Sequence, residues 1–338
     1  MQKLFFMKSV ALYVIFLLIL LFSACKKKEY LFISGNTMGT SYHIKYYSSE
    51  KLVLHSEIDS VLKAVNQSLS TYIQSSVISK FNQSSDSVEV DSFFKYVFLL
   101  AKEVWKKSDG AFDPTVMPLV NAFGFGFEKI DSVSKSAVDS LKQFVGFENV
   151  RLNGNYCVKT MPGLMLDFSA IAKGFGVDCV ALFLESKNVI NYMVEIGGEV
   201  RVKGKNPKGK YWQIAIEKPA ENTLPGEVYD TVFPLKNYSL ATSGNYRNFY
   251  IKDGVKYAHT IDPKTGYPVF NDLLSASVFY KNCTEADAWA TAFMVLGKDK
   301  SVKVLKKNPE IAVFFICKNE NNTETYFSSE NLKKITAD

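Results

Sequence analysis

The stretch that decides the fold is DFSAIAKG, from Asp167 to Gly174, together with the apolar sequence FGVDCVALFLES that follows it. Hydrophobic residues recur there at helical spacing, which predicts a helix from Ser169 to Ser186. Asp167, Ala170 and Lys173 are three positions apart, so they line one side of the start of this helix. Backbone N–H groups at a helix start attract phosphate, and a lysine adds positive charge. The segment is therefore either an anion site or a plain helix start that Asp167 caps.

The sequence on both sides of this segment mixes helices with strands. Helical periodicity predicts helices at His55 to Phe81 (with a polar turn at its end), Asp91 to Lys107 and Thr284 to Leu296, the last closed by Gly297. Strands are predicted at Ser41 to Tyr47, Tyr192 to Glu195, Tyr211 to Glu217 and Ile311 to Cys317. These elements follow one another without a regular βαβ rhythm. The pattern therefore favours an α+β fold over a doubly wound parallel sheet.

The composition is that of a globular protein with a large core. Of 338 residues, 47% are hydrophobic and 22% are charged. The formal net charge is +6, and the basic residues are scattered among acids, which argues against a nucleic-acid partner. Cys157, Cys179, Cys283 and Cys317 show no paired CxxC spacing, so a zinc knuckle is not expected. We predict that these cysteines are buried free thiols.

The N-terminus has the features of an export signal. Lys3 and Lys8 supply a positive flank, and the apolar run from Val10 to Phe22 is shorter than the roughly 20 residues that a spanning helix needs. Small residues directly before Cys25 resemble a bacterial lipobox. We therefore expect a lipoprotein signal peptide over residues 1–24, lipidation of Cys25, a short tether over 25–34, and a protein anchored to a membrane and facing the periplasm. An uncleaved N-terminal anchor is the alternative.

Two further polar segments lack an obvious packing purpose. GAFDPTV, at Gly110 to Val116, contains the pair Asp113-Pro114, which favours a turn and is also compatible with a simple loop cap. HTIDPKTGYP begins at His259, one of three histidines in the chain and the one that lies inside a dense polar motif. His259 is therefore either a catalytic residue or a structural one.

CTEADAWATA, at Cys283 to Ala292, combines oxygen-bearing side chains on a predicted helix. Asp287 and Thr291 are four positions apart, so they are neighbours on one helical face. A carboxylate, a hydroxyl and a nearby carbonyl suit a hard cation such as Mg²⁺. The alternative is a capping box formed by Thr284 and Asp287.

Taken in chain order, these segments resemble the ApbE family of flavin transferases. The resemblance runs through NTMGTSYHI from Asn36, GAFDPTV, DFSAIAKG, IGGEV from Ile196, ATSGNYRNFY from Ala241, HTIDPKTG and ADAWATA from Ala286. It covers nearly the whole chain after the signal peptide, and DFSAIAKG and HTIDPKTG are its most specific motifs. We accordingly expect one ApbE-like domain over residues 35–330.

The resemblance implies a fold of two entwined α/β parts with the flavin site in the cleft between them. It also implies an enzyme that binds FAD and Mg²⁺ and transfers FMN to a Ser or Thr hydroxyl of a target protein, releasing AMP. The implied flavin contacts are Met38, Tyr72, Ala111, Phe112, Asp113, Asp167, Lys173 and Ile261. The implied Mg²⁺ ligands are the Ala170 carbonyl, Asp287 and Thr291.

Two residues are expected to take part in the chemistry. His259 would accept the proton of the attacking hydroxyl, because a histidine is mostly neutral near pH 7. Asp287 would hold the cation that neutralises charge on the phosphates. The target is expected to be a membrane-associated electron-transfer subunit. An FAD pyrophosphatase that forms FMN and AMP, and a non-catalytic flavin-binding lipoprotein, are the alternative functions.

Overall fold

The structure, a computed structural model, describes residues 29–48, 53–126, 133–218, 229–245, 249–252, 255–321 and 323–336. The predicted signal peptide over residues 1–24 and the predicted lipidation site at Cys25 lie outside these residues. Within the described ranges, no helix is both long enough and apolar enough to cross a bilayer.

Fifteen strands run through the described part of the chain. They are β1 Glu29–Thr37, β2 Thr40–Ser48, β3 Ser87–Glu89, β4 Val150–Asn153, β5 Tyr156–Lys159, β6 Tyr192–Ile196, β7 Glu199–Lys203, β8 Trp212–Glu217, β9 Tyr229–Leu235, β10 Ser239–Gly244, β11 Phe249–Lys252, β12 Val255–Ala258, β13 Leu273–Tyr280, β14 Ala312–Lys318 and β15 Glu324–Ser328.

Eight of these strands form the central sheet, in the order β1-β2-β6-β7-β10-β13-β14-β15. Every ladder between the described strands is antiparallel. Strands β3, β5 and β4 form a separate three-stranded sheet, and β8–β9 and β11–β12 form two-stranded sheets. Antiparallel sheets combined with helices confirm the predicted α+β class.

The helices in the described residues are α1 His55–Leu69, α2 Val77–Gln83, α3 Ser92–Lys107, α4 Met117–Ala122, α5 Lys135–Lys142, α6 Ser169–Ser186, α7 Cys283–Lys307 and α8 Leu332–Thr336, with 3₁₀ turns at Pro114–Val116 and Phe147–Asn149. Several begin at the side-chain caps that helix starts favour. Asp91 accepts a hydrogen bond from the Phe94 N–H at the start of α3, and Ser76 caps α2 in the same way. The predicted segment from His55 to Phe81 is therefore two helices, α1 and α2.

Helices α6 and α7 pack closely enough to bring their first turns together. A Cβ atom added at Gly174 would lie 2.2 Å from the Cys283 carbonyl oxygen and 2.8 Å from Asp287 Cβ. Any side chain at Gly174 would force the two helices apart. This approach carries Lys173, the neighbour of Gly174, to Asp287. Further along α7, Gly297 has non-helical angles (φ 71°, ψ 173°), which confirms the predicted helix end, although helical turns resume after it.

Elements of the fold lie on both sides of the predicted domain range, residues 35–330. Residues 29–34, assigned to the tether, belong to β1, which pairs with β2 along its whole length and places Leu31 and Ile33 against the core. At the other end, Leu332 and Ile335 of α8 are buried in a cluster with strands of the central sheet, so the domain extends past residue 330. Cys157, Cys283 and Cys317 are buried free thiols, as predicted, while Cys179 is free and half-buried.

Candidate active site

All of the predicted site residues within the fold line one cleft of about 1720 Å³. They are Met38, Tyr72, Ala111, Phe112, Asp113, Asp167, Ala170, Lys173, His259, Ile261, Asp287 and Thr291. The cleft exceeds the roughly 300–1,000 Å³ that is usual for one small ligand. It therefore has room for a dinucleotide and for part of a second molecule.

The start of α6 is positioned by hydrogen bonds from two other segments. Asn82 on α2 brackets Leu166, accepting from its N–H and donating to its carbonyl, both at 2.8 Å. The Asp167 N–H donates to the Pro114 carbonyl at 2.8 Å, which joins the DFSAIAKG segment to the GAFDPTV segment. Asp167 Oδ1 accepts from the N–H and hydroxyl of Ser169, but the N-cap position is Phe168, and no side chain caps this helix. Both hydrogen bonds go to Oδ1, and Oδ2 takes part in neither of them.

Lys173 lies between two buried carboxylates. Its Nζ is 3.0 Å from Glu199 Oε1 and 3.9 Å from Asp287 Oδ1. Glu199 and Asp287 are 3% and 2% exposed, whereas the Lys173 side chain is about a third exposed at the cleft. Two carboxylates share one ammonium group, so the cluster attracts a further cation or a proton.

Burial and charge act in opposite directions within this cluster. Burial raises the pKa of Glu199 and of Asp287 because a carboxylate loses hydration, and the Lys173 charge opposes that rise. For Lys173, burial alone would lower the pKa, but Asp287 and Glu199 together raise it. The lysine is therefore an ammonium ion at neutral pH, available to a diphosphate.

The candidate metal ligands meet where α6 crosses α7. The Gly174 N–H, which in a regular helix donates to the carbonyl of Ala170, donates to Asp287 Oδ2 at 2.9 Å. One turn along α7, Thr291 Oγ1 is 3.2 Å from the Ser243 hydroxyl. Among the described residues no group of three or more His, Cys, Asp or Glu side chains could hold a metal ion. A cation here would therefore need neutral oxygens and ligands from a substrate.

The capping-box alternative for Thr284 and Asp287 is wrong. Asn282 caps α7 by accepting from the Glu285 N–H. The Thr284 N–H and hydroxyl both donate to Asp178 on α6, and the Asp287 carboxylate is turned toward Gly174. Asp287 is therefore free of a capping role at its own helix start.

Asp113 organises the GAFDPTV loop from within. It is 8% exposed, and its two oxygens accept four hydrogen bonds, from the Thr115 N–H and hydroxyl, Trp105 Nε1 and the Phe147 N–H. Burial raises its pKa, and the donors from Thr115 and Phe147 oppose that rise. Since four donors of the protein bond to this carboxylate, Asp113 has a structural role in the loop. Its predicted flavin contact stays a prediction.

We expect Asp113→Asn to lower the free energy of unfolding by about 2 kcal/mol or more, because an amide NH₂ would face N–H donors that lose their acceptor. Urea denaturation measures this change. Asp109→Asn is the matched control. The Asp109 side chain is 92% exposed and pairs with Lys264, so its loss should change stability by less than about 1 kcal/mol. Equal stability of the two variants would contradict the structural role of Asp113.

The remaining flavin candidates differ in exposure. Ala111 and Phe112 are almost fully buried beside Asp113, and Ile261 is 4% exposed. Met38 has a positive φ of 50° in the turn between β1 and β2, and its side chain lies over Gly176 of α6. Tyr72 is 73% exposed at the rim, so its ring is accessible for stacking on a planar group.

His259 lies in the segment between β12 and the turn that begins at Asp262. Its ring is half-buried, with its centroid 6.4 Å from that of Phe125. The neighbouring Thr260 hydroxyl donates to Asn245 Oδ1 at 2.9 Å. His259 thus lines the same cleft as Lys173 and Asp287.

Sequence reasoning missed three residues that support the site. They are Glu199, Asn82 and Asp178, of which Asp178 accepts from the Cys283 and Thr284 amides and pairs with Arg201 at 2.8 Å. Glu199 lies inside the quoted IGGEV motif, so a charged residue next to a Gly-Gly turn was the available signal. Asn82 and Asp178 gave no local signal, because their partners are distant in the chain.

Comparison with known proteins identifies relatives over almost the whole chain. The model of the ApbE family matches residues 38–315. A FAD:protein FMN transferase from Haemophilus influenzae is 42% identical over 332 residues, covering 93% of this chain and 94% of that protein. Flavin transferase ApbE from Vibrio cholerae has a TM-score of 0.83 at 39% identity, over 91% of this chain and all of that one. Pseudomonas stutzeri flavinyl transferase ApbE, in its apo form, has a TM-score of 0.83 at 31% identity, over 92% and 98%.

The fold is thus shared with flavin transferases. The chain belongs to the ApbE family.

Proposed function

We propose that this protein transfers FMN from FAD to a Ser or Thr hydroxyl of a target protein, with Mg²⁺, and releases AMP. The observation that carries the proposal is the meeting of two helices at one cleft. The start of α6 brings Lys173, and the first turns of α7 bring Asp287 and Thr291. These groups suit a diphosphate, and the relatives named above are FAD:protein FMN transferases and flavin transferases.

The residues of the cleft fit Mg²⁺. The Ala170 carbonyl, the Asp287 carboxylate and the Thr291 hydroxyl are the hard oxygen donors that this ion takes, and a diphosphate would supply the rest. The buried pair of carboxylates around Lys173 leaves Glu199 Oε2 without a hydrogen-bond partner, which agrees with a cluster that needs more positive charge. When bound, Mg²⁺ neutralises charge on the phosphate oxygens.

The chain's own residues then hold and align the reactants. The Lys173 ammonium group and the N-terminal amides of α6 hold the FAD diphosphate. The oxygen of the target hydroxyl bonds to the FMN phosphorus, and His259 accepts the proton that this hydroxyl loses. The bond from that phosphorus to the bridging oxygen breaks, and AMP leaves with the bond's electrons. Tyr72 at the rim stacks on the flavin.

Incubation with FAD, Mg²⁺ and a membrane-associated electron-transfer subunit as acceptor tests the proposal. Flavin fluorescence on a denaturing gel detects labelled acceptor, and chromatography detects AMP. Labelled acceptor together with AMP is the expected result, and replacing the acceptor's Ser or Thr should abolish the label. Free FMN and AMP without labelling would favour a pyrophosphatase. FAD binding without any AMP would favour a non-catalytic flavin-binding protein.

We also propose that the protein is exported and anchored to a membrane, facing the periplasm, through a lipid on Cys25. The support is the charged start, the short apolar run and the small residues that precede Cys25. A target embedded in the same membrane would then be within reach of the cleft.

We expect Cys25→Ala to release the protein from the membrane fraction or to leave its signal peptide uncleaved, because the lipid acceptor is lost. Fractionation and mass spectrometry of the mature N-terminus measure both outcomes. Cys157→Ala, which removes a buried thiol, is the control and should remain in the membrane fraction. A mature N-terminus at any residue other than Cys25 would contradict the proposal.

A further inference from the structure

Glu199 has an environment that the reaction described so far does not explain. It is 3% exposed, its Oε1 is 3.0 Å from Lys173 Nζ, and its Oε2 is buried without a hydrogen-bond partner. Leaving a buried polar atom unpaired is unfavourable. The ion pair with Lys173 is therefore the contact that this carboxylate is placed to make.

The position of Glu199 is fixed by the chain around it. It is the first residue of β7 and pairs with Ile196 of β6 across the Gly197-Gly198 turn. A Cβ atom added at Gly197 would lie 3.4 Å from Lys173 Cδ, so this turn also lies against the lysine side chain. Glu199 consequently presents its carboxylate to Lys173 from a rigid strand end.

Lys173 has a second carboxylate within reach. Asp287 Oδ1 is 3.9 Å from Nζ, farther than Glu199 Oε1. If Glu199 lost its charge, Asp287 would be the remaining negative partner of the ammonium group, and attraction between charges strengthens in a buried site. Lys173 would then neutralise the residue that the proposed function assigns to the cation.

We propose that Glu199 is a positioning residue that holds Lys173 away from Asp287 and so keeps Asp287 available for a divalent cation. This inference rests on the proposed function, since it gives Asp287 a cation to bind. With Glu199 as the partner of its ammonium group, Lys173 remains in place to bind the diphosphate, and Asp287 remains in place to bind the metal ion.

Direct binding of Mn²⁺, a paramagnetic substitute for Mg²⁺, tests this role without relying on activity. Electron paramagnetic resonance measures free Mn²⁺ in titrations of the full chain, with FAD at a concentration that saturates each variant, so that a weaker diphosphate contact does not affect the result. We expect Glu199→Gln to weaken Mn²⁺ binding about tenfold or more, as loss of an outer-shell partner commonly does. The double variant Glu199→Gln with Lys173→Met should recover binding to within about threefold of the wild type, because the competing ammonium group is gone.

Glu285→Gln is the matched control, since it removes one negative charge two residues from Asp287 on α7. The Glu285 side chain accepts a hydrogen bond from Asn282 at 2.6 Å. The Mn²⁺ affinity of the Glu285→Gln variant should match that of the wild type. Glu199→Asp, which keeps the charge on a shorter side chain, should weaken binding less than Glu199→Gln. If Glu199→Gln does not fold, Glu199→Asp with Lys173→Met is compared with Glu199→Asp alone, and the role predicts tighter Mn²⁺ binding by the double variant.

The outcomes separate this inference from the proposed function. Unchanged Mn²⁺ binding by Glu199→Gln, or weakened binding that the double variant does not recover, would overturn the positioning role while wild-type FMN transfer remained intact. A wild-type protein that transfers FMN but binds no Mn²⁺ would overturn both the metal assignment and this inference. A wild-type protein that binds Mn²⁺ but forms no labelled acceptor would overturn the transferase proposal alone.

Discussion

Asp287→Ala is expected to lower the rate of FMN transfer by at least about 100-fold, or about 2.7 kcal/mol in the activation free energy. The variant loses the sole carboxylate among the three proposed ligands. Lys173 then keeps only its ion pair with Glu199. The rate is measured at saturating FAD and over a series of Mg²⁺ concentrations. The fold should survive, because helix α7 is capped by Asn282 and by Asp178 rather than by Asp287.

Asp287→Asn separates the charge from the hydrogen bond. Its amide oxygen can still accept from the Gly174 N–H, but it carries no charge to hold a cation. We expect it to be nearly as inactive as Asp287→Ala. Glu285→Gln, on the same helix, should keep the wild-type rate. Full activity of Asp287→Asn at saturating Mg²⁺ would show that Asp287 is structural.

His259→Ala is expected to lower the transfer rate by about 10²–10⁴-fold, the usual contribution of a general base. The affinity for FAD should change little, because the residue is proposed to act on the incoming hydroxyl and not on the flavin. Transfer is measured at saturating FAD, and the dissociation constant is measured by quenching of flavin fluorescence. A lower transfer rate with an unchanged affinity for FAD indicates a general base, whereas a residue that only stabilises the loop would affect both.

His55→Ala is the matched control for this variant. The His55 side chain is 57% exposed on α1, 3.8 Å from Asp59, and should leave both rate and affinity unchanged. If rate and affinity of His259→Ala fell together, His259 would only hold the loop after β12. Near-normal transfer would exclude it as the base and favour a carboxylate-assisted route through Asp287.

Elements with short-range signals were predictable from the sequence. The bounds of α6 match the predicted Ser169 to Ser186, and α3, at Ser92–Lys107, differs from the predicted Asp91 to Lys107 by one residue. Helical periodicity and capping act within one turn, so a local pattern contains the information. The turn from Ser70 to Ser76 was missed because the apolar residues on both sides of it fit a single helical period.

The site was predictable only in part. The structure brings every predicted flavin, metal and catalytic residue to one cleft. The sequence grouped these residues only through the resemblance and not through periodicity. The sequence pattern was compatible with Asp287 either as part of a helix cap or as a metal ligand. The structure excluded the cap, because Asp178 accepts the hydrogen bonds of Thr284.

The sequence by itself determined the span of α6, the α+β class and the chemical groups available to the site. Tertiary structure alone decided which groups are partners. Gly174 and Asp287 are 113 residues apart, yet they are joined by a 2.9 Å hydrogen bond, because a glycine lets α6 approach the backbone of α7. Lys173 meets Glu199 because β7 begins beside that same helix start. Such pairings depend on how helices and strands pack across the sheet, and packing between distant segments leaves no periodic signal in either of them.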